Sequence, residues 1–178
     1  MAETFSNKLT RAAGIVTTSS GGAVGVTTTL ITGVSTAGVS VGYQIDNEHF
    51  ILGTKVATIG IGTVWADRDS TNTASAATQT VKFLGFTSAF TNGSNKSILI
   101  GGTFANNTAS QVNVTVSVWD HSTSTESGIA QKIPVPNGSS FVVSDAGKIV
   151  LEDTDSIRVY CDVNNGIDVN LSILSGVN

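Results

Sequence analysis

The two histidines of this chain are the residues best suited to metal binding or proton transfer. His49 lies between Glu48 and Phe50, and His121 directly follows Asp120. A catalytic zinc site takes three protein ligands and a structural site takes four. Each histidine has one or two carboxylates nearby in sequence but no ligand set of that size. We therefore predict that neither histidine holds a metal and that the chain carries no cofactor.

Two aspartate pairs resemble fragments of a calcium-binding loop. Asp67 and Asp69 form one pair, and Asp153 and Asp155 form the other. A complete loop continues with a glycine and ends in a bidentate glutamate. Neither pair is followed by that pattern, so the sequence favours solvated turns at both places.

Nucleophilic chemistry has no local signature in this sequence. A Gly-x-Ser-x-Gly elbow does not occur, and a serine near a histidine is expected by chance because the chain has 21 serines. A Ser-His-Asp arrangement built from distant residues stays open at this point. The single cysteine, Cys161, lies between Val159 and Val163 on an apolar strand face, which favours a small buried side chain. We predict no catalytic residues and a protein that is not an enzyme.

The elements that would position any site are strands. Apolar and polar side chains alternate with a period of two along several stretches of the C-terminal half, which is typical of half-buried β-strands. The apolar faces contain Val112, Val114, Val116 and Val118, then Ile157, Val159, Cys161 and Val163, then Ile167, Val169, Leu171 and Ile173. This pattern predicts an all-β fold, an antiparallel β-sandwich of the jelly-roll or Ig-like kind, because such a surface must be closed by a second sheet.

The composition divides the chain into three segments. Residues 1–13 have mixed polarity and predict a short N-terminal arm, although two helical turns would also fit. Residues 14–85 form a Gly/Thr/Val-rich β module in which glycines mark the turns, and residues 86–178 form the C-terminal β-sandwich module. Pro134 and Pro136 predict an edge strand or a crossover in the C-terminal module, since proline donates no hydrogen bond to a sheet.

The arm contains the residues that we expect to dock on a neighbouring molecule. These are Phe5, Leu9 and Arg11. Terminal segments seldom stay ordered unless they pack against something.

The charge of the chain excludes some partners. Charged residues make up 12% of the chain and the net charge is −4, without a run or stripe of Lys and Arg. This excludes nucleic acid as an expected partner. The sequence also lacks an apolar stretch long enough to cross a membrane and an N-terminal signal pattern, so we expect synthesis in a cytosol and no membrane partner. With 21 serines and 24 threonines, the surface is rich in hydroxyl groups, which suits a component of an assembly.

Three aromatic residues have two interpretations. Trp65, Trp119 and Tyr160 occur beside or within strands, and Trp119 and Tyr160 lie off the apolar faces. Exposed rings could stack on the sugars of a glycan. Large rings are also favoured in protein interfaces, and we prefer packing beneath a subunit or a loop.

The strand sequences resemble those of a known group of proteins. The C-terminal module resembles the small β-sandwich proteins on the virions of tailed phages, most closely those of marine cyanophage type. The segments that carry this resemblance are Lys96–Thr103, Gln111–Val118, Ile133–Ser140, Lys148–Glu152 and Asp155–Tyr160. The middle region is similar to a strand-turn element of phage fibre and head accessory proteins, through Ile51–Val64 and Gln79–Phe83.

The resemblance implies a structural protein of the virion. A capsid decoration or neck component would bind repeated sites on the particle, with major capsid, neck or tail subunits as partners, and would reinforce it. The resemblance also implies a homo-oligomer, with a trimer as the first expectation, and it transfers no catalytic residues. The alternative is a tail-fibre or receptor-binding module that recognises host-surface glycan. A secreted bacterial enzyme is disfavoured because neither a signal pattern nor a catalytic arrangement is present.

Overall fold

The computed structural model describes residues 3–93 and 95–177, including all of their side chains except those of 144–147. Within these ranges the regular elements are β-strands, so the predicted all-β class is confirmed. In this part of the chain there is no helix that could cross a membrane.

Short turns join most of the strands, and three connections between residues 32 and 76 are longer loops. In chain order they are β1 Thr4–Ala13, β2 Ile15–Val24, β3 Leu30–Thr32, β4 Gln44–Asp46, β5 Val56–Gly60, β6 Thr63–Ala66, β7 Ala76–Gly85, β8 Thr87–Thr91, β9 Lys96–Asn106, β10 Val112–Asp120, β11 Thr125–Val135, β12 Ser140–Leu151, β13 Ser156–Cys161 and β14 Ile167–Val177. They belong to two compact units, one formed by the chain through Gly14 together with the chain from Phe86 onwards, and the other by Ile15–Gly85.

The first unit is a sandwich of two antiparallel four-stranded sheets. One has the order β1-β14-β9-β12 and is called the β14 sheet here; the other, the β10 sheet, has the order β11-β10-β13-β8. Within this unit the first strand pairs with the last, the second with the seventh, the third with the sixth and the fourth with the fifth. This is one long hairpin ribbon rolled onto itself, which is the topology of a jelly roll. Of the two predicted kinds of sandwich, the structure therefore has the jelly-roll kind.

The core of the sandwich follows the alternation seen in the sequence. The fully buried side chains include Val112, Val114 and Val116 of β10, and Leu171 and Ile173 of β14. Successive side chains of a strand point to opposite faces, so every second residue of each strand reaches this core. The predicted apolar faces are thus the faces that pack between the two sheets.

The N-terminal segment differs from the predicted arm. It forms strand β1, which pairs antiparallel with β14 from Thr4 opposite Ser175 to Ala13 opposite Ile167. The segment belongs to the edge of the sandwich because its backbone hydrogen bonds are made within the same chain. The domain division is corrected accordingly, with residues 4–13 joined to the C-terminal unit.

The second unit is a closed sheet with the order β4-β7-β2-β3-β6-β5. Its two end strands are joined to each other by backbone hydrogen bonds, from Ile45 N–H to Thr54 O and from Val56 N–H to Tyr43 O, both 2.8 Å long. The sheet therefore closes on itself, and its apolar residues, including Ile31, Val64 and Phe83, fill the interior. In the chain this unit is an insertion between β1 and β8 of the sandwich.

Substitution of Gly14 tests how closely the chain packs at the turn between β1 and β2. Its φ is +123°, and a Cβ at this position would lie 2.5 Å from the carbonyl oxygen of Val163 and 2.9 Å from Cβ of Cys161. We expect Gly14→Ala to lower the free energy of unfolding by about 3 kcal/mol, because backbone strain and overlap with fixed atoms add together. Denaturant titration measures the change.

The matched control is Gly138→Ala. Gly138 also has a positive φ, +69°, but open space surrounds its Cβ position. Its loss is expected to be about 1 kcal/mol, the cost of the left-handed conformation alone. Equal losses for the two variants would contradict the proposed overlap at Gly14.

Candidate functional site

The outer face of the β10 sheet holds a group of interacting polar and aromatic side chains. Half-burial of the strands predicts that the non-valine positions of β10 face solvent, but Thr115 and Ser117 are buried. The reason is that long side chains from β11 and β13 fold over them. The group, called the Glu126 cluster, consists of Phe86, Ser117, Trp119, Glu126, Arg158 and Tyr160.

The strand register brings these residues together. Trp119 of β10 lies opposite Glu126 of β11, and Ser117 lies opposite Arg158 of β13. Tyr160 is two residues beyond Arg158, so both side chains point to the same side of β13. The cluster thus forms because the pairing of β10 with β11 and β13 places these side chains next to one another.

The Glu126 carboxyl group is the hydrogen-bonding centre of the cluster. The Tyr160 hydroxyl lies 2.9 Å from Oε1 and 3.0 Å from Oε2 of this group. Ser117 Oγ donates a short hydrogen bond to Oε1, and Arg158 Nη1 lies 3.3 Å from Oε2. The Glu126 side chain is 4% exposed, so these partners replace the water that the carboxyl group would otherwise bind.

The Arg158 guanidinium lies between two aromatic rings. Its Cζ is 4.0 Å from the ring centroid of Phe86 and 4.0 Å from that of Trp119. Phe86 also contacts Tyr160 edge to face, with a centroid distance of 6.3 Å. Nε of Arg158 has no hydrogen-bond partner among the described residues; the ring faces on either side supply a cation–π attraction instead.

The environment of Tyr160 keeps its hydroxyl protonated. Burial, and then the charge of the adjacent Glu126, raise the pKa of Tyr160 far above its ordinary value near 10. The hydroxyl therefore acts as a hydrogen-bond donor to Glu126. The arrangement links three adjacent strands, β10, β11 and β13, through side-chain contacts.

The three predicted aromatic residues have different environments. Tyr160 is fully buried, which corrects the suggestion that its ring could stack on a sugar. Trp119 is half-buried and has Arg158 on one ring face. Trp65 of the closed sheet is 37% exposed, and its ring lies over Gly60, where an added Cβ would come within 2.9 Å of the ring. Trp65 is thus the most accessible aromatic ring of the three.

The residues considered for metal binding stay apart from one another. Within the described residues, no group of three or more His, Cys, Asp and Glu side chains could hold a metal ion. His49 Nε2 lies 3.7 Å from Glu48 Oε1. Asp155 is buried and accepts hydrogen bonds of 2.9 Å from the backbone N–H groups of His121 and Glu152, so it has the role of organising turns.

The residues predicted for arm docking lie on the accessible surface of β1. Phe5 and Leu9 are exposed by 62% and 73%, and Arg11 is exposed as well. Sequence reasoning therefore identified exposed apolar residues here, while it missed Glu126, Arg158 and Phe86. The polar face of β13 was a signal for Arg158 alone. Glu126 and Phe86 had no signal of their own, since strand register cannot be read from the sequence.

Comparisons with known proteins give no relative: the chain matches no protein-family model, no curated protein and no solved structure.

Tyr160→Phe tests the role of the Glu126 cluster through pH. Below about pH 10 the hydroxyl is protonated in both folded and unfolded chains, so its contribution to stability is complete. Above that pH the unfolded chain releases the proton while the folded chain, with its raised pKa, retains it. The contribution of Tyr160 to the free energy of unfolding should then fall by up to about 1.4 kcal/mol per pH unit.

The measurement is denaturant unfolding of wild type and Tyr160→Phe from pH 8 to pH 11. The stability advantage of wild type should shrink above pH 10, because the variant lacks the titrating group. A constant difference between the two proteins across this range would show that the hydroxyl titrates at the same pH in both states.

Proposed function

We propose that this chain is a non-enzymatic structural component of a tailed-phage virion, a capsid decoration or neck protein that binds repeated sites on the particle and reinforces it. The observation that carries the proposal is the exposure of large apolar side chains at the turns of the closed sheet. They are Val26, Val41, Ile51, Leu52 and Ile61. Turns normally carry Gly, Pro, Asn, Asp and Ser.

Ile61 is the clearest case. It occupies the turn between β5 and β6 and is fully exposed. A two-residue turn needs no isoleucine for its conformation, which Gly62 supports with a φ of +66°. A side chain of this kind gains free energy when a partner covers it.

The fold and the composition support the same proposal. Jelly rolls are frequent in viral capsid proteins and also in lectins, so the fold alone does not decide between these classes. A surface with 12% charged residues has few long charged side chains to immobilise when it is covered. The host-cytoplasm origin and the virion location are parts of the proposal.

The mechanism would be reinforcement by coverage. Apolar turns of the closed sheet would fill joints between major capsid, neck or tail subunits. The edges of the sandwich limit uncontrolled strand pairing, since Pro134 lies in the edge strand β11 and Lys8 in the edge strand β1. The protein would then bind the particle only at sites whose shape is complementary to the apolar turns.

Glycan recognition by a tail fibre or receptor-binding module is the second candidate, and one observation favours it. A groove of about 400 Å³ on the closed sheet is lined by Ala23, Leu30 and the hydroxyl residues Thr28 and Thr32, among others. Leu30 is the cross-strand neighbour of the half-exposed Trp65. An apolar ring beside hydroxyl groups suits the face and edge of a sugar.

Ile61→Glu tests the virion proposal. We expect wild-type protein to bind tailed-phage particles that lack it, at repeated sites visible by electron cryo-microscopy. The variant should bind at least about tenfold more weakly, because the contact would bury an unpaired charge. Ala109→Glu, which adds the same charge at an exposed turn of the sandwich, is the matched control and should bind like wild type. Failure of wild type to bind any site on the particle contradicts the proposal.

Trp65→Ala separates the two candidates. On an array of host-surface glycans, the structural proposal expects no saturable binding by wild type. Saturable binding that this substitution abolishes would replace the structural proposal with the glycan-binding one.

A further inference from the structure

Strand β1 has the opposite polarity to the other strands of the sandwich. Its inward-facing positions are polar: Thr10 Oγ1 donates a hydrogen bond of 3.2 Å to the carbonyl oxygen of Ala89 in β8, and Lys8 Nζ lies 6.0 Å from the ring centroid of Phe90. The outward-facing positions hold Phe5 and Leu9, with Asn7 between them. An edge strand that turns its apolar side chains away from its own core indicates a second apolar surface outside.

The outward side chains of β1 continue across the whole β14 sheet. Residues paired across an antiparallel sheet point to the same face, so the register defines rows on the outer face. One row is apolar in every strand: Phe5, Leu174, Ile98 and Val150. Another row has apolar side chains at both edges and polar ones between them: Leu9, Asn170, Thr103 and Val142.

A depression lies between the two rows. It encloses about 420 Å³, and its lining includes Gly101, Ile100, Val142, Asn170 and Ser172. Gly101 contributes no side chain, so the surface is hollow in the middle and raised by apolar side chains on both sides. A face of this shape offers both protrusions and a recess to a facing surface.

The two rows and the depression carry no ionisable group among the described side chains. A basic or acidic partner would find no opposite charge in these rows, because the charged residues of the same face, among them Asp168 and Lys96, lie near the ends of their strands. A second copy of this face would place apolar side chains against apolar side chains, and amide and hydroxyl groups against the same groups, without like-charge repulsion between the rows.

We infer that the outer face of the β14 sheet binds the same face of a second copy of this chain, forming a two-fold dimer. Four strands about 4.8 Å apart, each with about ten residues of about 3.4 Å, give a face of about 650 Å². Two such faces bury about 1,300 Å², within the range of specific interfaces. Sheets pack face to face in this way, about 10 Å apart, inside β-sandwiches.

The edge of β1 is less suited to this contact than the face. The pairing of β1 with β14 shifts between Thr10 and Ala13, and Ala12 has a φ of +57°. This irregularity and Lys8 on the edge strand discourage continuous pairing with another strand. A trimer, which the family resemblance suggests, needs contacts between two different patches, so the oligomeric state distinguishes the two arrangements.

Val142→Glu tests the dimer. Val142 is 54% exposed, so the isolated chain should tolerate the change and stay folded. Wild type at micromolar concentration should sediment as a dimer in analytical ultracentrifugation. The variant should sediment as a monomer, with a dissociation constant raised at least about a hundredfold, because two-fold symmetry places two carboxylates in an apolar contact.

Val150→Glu, at a position 52% exposed in the apolar row, is a second variant with the same expected result. Ile61→Glu is the matched control: it adds the same charge on the closed sheet and should stay dimeric. Circular dichroism melting verifies that each variant is folded. If either Val142→Glu or Val150→Glu unfolds, the other one decides.

The proposed dimer is overturned if wild type is monomeric at 100 µM, if it is a trimer, or if a folded variant stays dimeric. These outcomes do not depend on the proposed function. Loss of particle binding by Ile61→Glu with an intact dimer would separate the two surfaces, whereas a dimer that fails to bind particles would contradict the proposed function alone.

Discussion

The pairing of β1 with β14 is the interaction on which the organisation of the sandwich depends. It joins the two ends of the rolled ribbon and sets the edge of one sheet. The register also determines which side chains of β1 reach the outside. A slip by one residue would exchange the outward Phe5 and Leu9 with the inward Ser6 and Lys8. The same strand pairing therefore joins the ends of the jelly-roll ribbon and directs the apolar side chains of β1 to the outer face.

The outer faces of the two sheets of the sandwich differ in how their side chains are covered. The β10 sheet covers its own outer face with the Glu126 cluster, in which a carboxyl group, a tyrosine hydroxyl and an arginine between two rings satisfy one another. The β14 sheet leaves large apolar side chains of its outer face exposed, among them Phe5, Leu9, Val142 and Val150. A molecule that binds the first face would disrupt hydrogen bonds and ring contacts that are already made there. A molecule that binds the second face would cover exposed apolar side chains.

The sequence was informative about strands and much less so about their partners. Period-two alternation identified the core faces of β10, β13 and β14, and the prolines identified an edge strand, since β11 carries Pro134 and lies at the edge of its sheet. The burial of Thr115 and Ser117 could not be predicted, because it depends on side chains from strands paired at a distance. The N-terminal strand was mistaken for an arm because its pattern has a weak apolar face and its hydrogen-bonding partner is the last strand. The contact between Glu126 and Arg158 could not be predicted for the same reason, since these residues lie on strands that are distant in the sequence.

The insertion of the closed sheet between β1 and β8 has a consequence for biosynthesis. All strands of the closed sheet come from one continuous segment, Ile15–Gly85, so this unit has its complete set of pairing partners soon after it leaves the ribosome. The first strand emerges earlier still, yet its partner is translated last among the described strands. Long-range pairing of this kind is slow and leaves unpaired edges exposed in the meantime. A nascent chain would therefore contain the complete closed sheet while β1 still lacks its hydrogen-bonding partner.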